Sequence, residues 1–117
     1  MKMNINMKKI VFFLLVQFVA FGAFAQEATI KEAEAAYTKE DYGKAIELYE
    51  GLLKSNGESA EIYYNLGNAY YKENKIAPAI LNYERALLLD PGDGDIRFNL
   101  QLARQKSVDK IEPVGDF

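Results

Sequence analysis

The chain has 117 residues, 14 Lys+Arg against 17 Asp+Glu, and no His, Cys or Trp. That length allows one small domain, and an apolar half is enough for a packed core and too much for a disordered chain. Without Cys or His the chain lacks disulfides, thiolate nucleophiles, imidazole bases and the usual zinc ligands, and a net charge of −3 lacks the basic face that nucleic acid demands.

The first elements in chain order are those of an export signal. Lys2, Lys8 and Lys9 form a positive start, and an apolar run follows from Ile10 to Phe21, broken only by Gln17. Ala23-Phe24-Ala25 is a small-x-small cleavage site. The run is shorter than the ~20 residues of a spanning helix, so residues 1–25 are expected to be a signal peptide cleaved after Ala25. Export would place the mature chain in a periplasm or on the periplasmic face of an envelope. Loss of the three lysines would leave 11 basic residues against 17 acidic.

From Gln26 onward the chain repeats with a period of 34. The offset pairs Tyr37 with Tyr71, Ala45 with Ala79, Ile46 with Ile80, Tyr49 with Tyr83, Glu50 with Glu84 and Leu53 with Leu87. It continues through Ile62 and Ile96, Asn65 and Asn99, Leu66 and Leu100, and Ala69 and Ala103. This predicts units at 26–59 and 60–93 and a closing half unit at 94–110. Each unit reads as two helices: Glu27–Lys39 and Tyr42–Ser55, then Ser59–Glu73 and Ile76–Leu89, with a last helix from about Asp95 to Val108. Ser59 suits an N-cap, Asn74 a left-handed helix end, Pro78 a first turn, and Asp90-Pro91-Gly92 a stop. Residues 111–117 show no period and are expected to be a disordered tail.

In the second unit Tyr63, Leu66, Gly67, Tyr70, Ala79, Tyr83, Ala86 and Pro91 occupy signature positions that resemble the tetratricopeptide repeat. Small residues at Gly67 and Ala79 permit close helix approach. In the first unit Ala33, Ala45 and Tyr49 fit, whereas Glu32 and Ala36 replace the usual Leu and Tyr. The resemblance implies an all-α fold: a short right-handed solenoid of two helix-turn-helix repeats plus a C-terminal capping helix, after the signal peptide.

A narrower resemblance rests on Ala79-Ile80-Leu81-Asn82-Tyr83-Glu84-Arg85-Ala86, Asp95-Ile96-Arg97-Phe98-Asn99-Leu100 and Val108-Asp109-Lys110-Ile111. Behind a signal peptide, these look like the repeat protein of the Bacteroides aerotolerance (Bat) operon. That resemblance implies an envelope protein working beside von Willebrand A-type proteins and a MoxR-type ATPase. In longer relatives, membrane spans and an SH3-like domain follow the repeats, so the chain is expected to be a fragment or a short exported form.

First helices of such units line a concave face. Positions 2, 5, 6, 9 and 12 of each unit should point into it: Glu27, Ile30, Lys31, Glu34 and Tyr37; Glu61, Tyr64, Asn65, Asn68 and Tyr71; Asp95, Phe98, Asn99, Leu102 and Gln105. Carboxamides match the backbone of an extended peptide, and Tyr adds contact area at low entropy cost. Tyr64, Asn65, Asn68, Tyr71 and Asn99 are thus candidate partner contacts, with Phe98 and Leu102 along the groove edge. The same spacing also fits inter-repeat packing for Tyr64 and Tyr71 and simple solvation for the Asn residues; both readings stay open. A carboxylate clamp is not expected, because of its basic and amide positions only Asn65 survives. Asp90 to Asp95 fails the calcium-loop pattern and reads as a turn with an N-cap. No cofactor and no metal are expected.

The expected function is a non-catalytic scaffold for a protein or peptide partner; the alternative is an accessory subunit of a cell-wall enzyme complex. Two and a half units fall short of the three usually needed for stability. The closing helix carries Ile96, Phe98, Leu100, Leu102 and Val108, so a sticky end is expected there, covered by a partner, a second copy or a continuation.

Overall fold

A computed structural model describes residue 2 and residues 4–110, without the side chains of residues 13–28. Among the described residues the chain forms five helices and no strand: α1 Ile5–Thr38, α2 Tyr42–Asn56, α3 Ala60–Lys72, α4 Ile76–Leu89 and α5 Gly94–Asp109. Each packs on the next, and α3 also touches α5, as in a solenoid.

The starts of α2, α3 and α5 follow from local chemistry. Ser59 Oγ accepts from the Ile62 amide, Asp41 Oδ1 from Lys44, and Asp93 Oδ1 from both Asp95 and Ile96. These satisfy amides that have no partner within their helices. Pro78 sits in the first turn of α4, where its missing N–H costs nothing.

α1 departs from expectation. A helix from Glu27 is predicted, but α1 begins at Ile5, capped by Asn4, and runs unbroken to Thr38. The Ala/Glu-rich stretch from Glu27 to Ala36 is a strong helix former, and between Phe21 and Glu27 stands a single Gly22 and no Pro, which does not stop the helix. The side chains around the expected cleavage site lie outside the described residues, as does the expected tail at 111–117.

The period of 34 extends to the backbone. Glu40 and Asn74 both hold positive φ, 63° and 62°. Asp41 N–H donates to Ala36 O and Lys75 N–H to Tyr70 O; one residue earlier, Glu40 donates to Tyr37 O and Asn74 to Tyr71 O. The two helix ends are one Schellman motif repeated. Asn tolerates the left-handed position, whereas Glu is strained there. Glu40→Gly is therefore expected to stabilise the fold by about 0.5–1 kcal/mol, net of the entropy that Gly adds to the unfolded chain. Asn74→Gly should gain little. Urea unfolding of both variants checks this, and equal shifts would argue against strain at Glu40.

The core repeats as well. Ala45 and Ala79, Tyr49 and Tyr83, Leu66 and Leu100, and Ala69 and Ala103 are all buried. In the first unit Ala33 and Ala36 supply the buried stripe of α1, and Glu32 stays exposed. Among the described residues one buried side chain outside the aromatic set is polar: Asn82 donates its Nδ2 to Pro78 O at 2.8 Å, and its Oδ1 has no partner among them.

At the far end, Ile96, Leu100 and Ala103 seal α5 onto α3 and α4. Tyr63 and Gly67 of α3 meet α4 at Arg85 and Tyr83. Their counterparts 34 residues on are Arg97 and Gln101, both exposed. Arg97 donates to Pro91 O at 2.5 Å, and Arg104 pairs with Glu84 at 2.8 Å. The expected sticky end is thus narrower than the sequence suggests. Phe98, Leu102 and Val108 are exposed, but the positions that would take a following helix are polar.

Candidate functional site

The groove of interest is built by α1, α3, α4 and α5 and is lined by Tyr37, Asn68, Tyr71, Lys72, Tyr83, Asn99 and Leu102, with a volume of about 230 Å³. Four of the expected contacts meet in it: Asn68, Tyr71, Asn99 and Leu102. The offset explains this, because Asn68 and Leu102 are the same position in successive first helices.

A hydrogen-bond network that spans three helices ties lining residues to one another and to Tyr64. Tyr83 Oη donates to Asn68 Oδ1 at 2.5 Å, and Asn99 Nδ2 donates to Asn68 Oδ1 at 2.9 Å and to Tyr64 Oη at 3.0 Å. The Tyr64 and Tyr83 ring centroids are 6.0 Å apart. Burial pushes the pKa of Tyr83 well up, and neighbouring Tyr64, Tyr37 and Tyr71 add to this, so its hydroxyl remains a neutral donor. Tyr64 is therefore a support on which Asn99 rests, and inter-repeat packing describes it better than exposed contact does.

This network orients the two carboxamides. With Asn68 Oδ1 accepting two bonds and Asn99 Nδ2 donating two, Asn68 Nδ2 and Asn99 Oδ1 make no bond among the described residues. One donor and one acceptor are left over, the pair that a peptide backbone requires. Flanking them, Tyr37 packs edge-on against Tyr42 with centroids 5.3 Å apart, and Lys106 Nζ stands 4.7 Å from the Tyr71 ring centroid.

Two expected contacts are placed elsewhere. Asn65 is half-buried on α3 and is not among the lining residues. Phe98 is 60% exposed and also stands outside the lining. Conversely, Tyr83 and Lys72 line the groove without being expected there, and Lys106 stands beside it on the Tyr71 ring. Tyr83 is on a second helix, where a rule based on first helices does not look. Lys72 and Lys106 are 34 residues apart, a signal that the sequence does carry.

Comparison with known proteins agrees with this architecture. Residues 60–93 match the family described as Tetratricopeptide repeat, and residues 33–74 match the one described as TPR repeat. The peroxisomal targeting signal receptor of Saccharomyces cerevisiae is 34% identical over 67 residues, which is 57% of this chain and 11% of the receptor. The Sgt2 TPR domain from Aspergillus fumigatus superposes with a TM-score of 0.67 at 27% identity, covering 72% of this chain and 56% of that domain.

Proposed function

Because residues 33–93 carry tetratricopeptide repeats, we propose that the protein is a non-catalytic scaffold holding an extended segment of a partner protein in this groove. The observation that carries the proposal is the unused donor and acceptor on Asn68 and Asn99, fixed in place by Tyr83 and Tyr64. The yeast relative is a receptor for a targeting signal, which supports an interaction role. No acid–base pair accompanies the amides; Lys72 is the one charged residue in the lining.

In this reading residues 1–25 are a signal peptide and the protein acts on the periplasmic face of an envelope. The support is the sequence of Lys2, Lys8, Lys9, the apolar run and Ala23-Phe24-Ala25. Repeats fill 26–59 and 60–93, and residues 94–110 close them. The partners are von Willebrand A-type proteins and a MoxR-type ATPase, in a complex of the aerotolerance-operon type, as the residues from Ala79 to Ile111 suggest.

A photo-crosslinking amino acid at position 102 in the groove, compared with one at the 83% exposed Leu88, tests this in the source cell's envelope. A defined partner captured from position 102 alone is the expected result, and its identity tests the envelope-complex reading. Equal capture from both positions, or from Leu88 alone, would move the interface away from the groove.

A further inference from the structure

We infer that the groove selects partner segments rich in acidic side chains, which it lays along a rim formed by Lys72 and Lys106; this rests on the groove reading above. Three observations converge. The lining contains a lysine and no carboxylate, although acidic residues outnumber basic ones in the chain as a whole. Lys72 and Lys106 are separated by one period, in the last turns of α3 and α5, so they stand in register along the direction a bound segment would follow. Neither makes an ion pair among the described residues, where the pairs are Lys75 with Glu73 and Arg104 with Glu84.

Lys106 is held in position without a carboxylate partner. Its ammonium stands over the Tyr71 ring, and Tyr71 and Lys72 both line the groove. Glu73, the carboxylate nearest in sequence to Lys72, is occupied by Lys75. The opposite ends of the same helices carry Glu61 and Asp95 in their first turns. On each of these two helices an acidic side chain thus stands in the first turn and a lysine in the last. An extended segment alternates its side chains between two sides. It gains by turning acidic side chains toward the lysines and loses by the reverse, which sets its facing as well as its composition.

The test uses the full chain and a displayed library of random peptides, each flanked by linker at both ends so that any carboxylate comes from a side chain. Selection on the wild type should enrich Asp and Glu. The selected pool should bind Lys72→Gln/Lys106→Gln at least about fivefold more weakly, the factor given by about 1 kcal/mol from an exposed charge contact. Both substitutions are at helix ends outside the core, so unfolding would not explain the loss, and a retained helical spectrum verifies this. Enrichment of neutral or basic peptides whose binding depends on Leu102 would overturn the acidic preference and leave the groove reading standing. Undiminished binding of the acidic pool to the double variant would also overturn it. A library that yields no binder would overturn both readings.

Discussion

Replacing Tyr83 by Ala should cost about 3–5 kcal/mol, the range for deleting a large buried aromatic ring. Tyr83 is 1% exposed and is among the largest fully buried side chains of the described residues. Its ring packs against Gly67 of α3 and lies beside Tyr64, and its hydroxyl anchors Asn68. Removal opens a cavity between α3, α4 and α5, and frees the amide that organises the groove. For a domain this small, the loss is a large fraction of total stability. Urea unfolding of the full chain measures it. Tyr83→Phe separates the two roles: it keeps the ring and should cost only about 1 kcal/mol for the hydrogen bond. A loss below about 1 kcal/mol for Tyr83→Ala would show that the ring is not the packing centre of the second unit.

Gly67→Ala should also destabilise, although Ala is the better helix former by about 1 kcal/mol. A methyl group at position 67 would lie 2.7 Å from two carbons of the Tyr83 ring, well inside van der Waals contact. The ring has nowhere to retreat, because Tyr64 packs beside it and Asn68 holds its hydroxyl. Overpacking of this kind costs about 1–3 kcal/mol, which outweighs the propensity gain. Gly51→Ala is the internal control. Gly51 is inside α2, and a methyl group added there would meet nothing within 4 Å, so the same exchange should stabilise by up to about 1 kcal/mol. Thermal unfolding of both variants gives the comparison. Movement of both midpoints in the same direction would mean that the α3–α4 contact is looser than the geometry states.

Much of the fold is legible in the sequence because the relevant signals are local. Ser59, Pro78 and Asp93 mark helix starts by chemistry within a single turn, and α2 to α5 begin and end close to where such residues predict. Gly67 and Ala79 declare a close helix approach by their size, but that Gly67 faces the Tyr83 ring is visible only in the fold. α1 is less legible because helix propensity continues across the expected cleavage site, and a signal peptide is defined by processing and not by a turn. The groove is half legible for a geometric reason. Neighbouring positions such as Tyr64 and Asn65 are about 100° apart on the helix, and periodicity cannot say which of them the neighbouring unit covers. That depends on how α5 is placed against α3, which puts Asn99 over Tyr64 and leaves Asn65 aside. Leu102 lines the groove, whereas Phe98, one turn earlier on the same helix, stands outside it.

The outward surface of α5 also bears on whether copies of the chain can polymerise. A stack of repeats presents different surfaces at its two ends, and if one end accepts the other, growth is head-to-tail and does not close. Here an incoming helix would meet Arg97 and Arg104 already engaged with Pro91 and Glu84. Seating it would require stripping water from those guanidinium groups, a penalty on the order of several kcal/mol for each charge. Head-to-tail stacking of a second copy on this face of α5 is therefore disfavoured, although Phe98 and Leu102 are exposed.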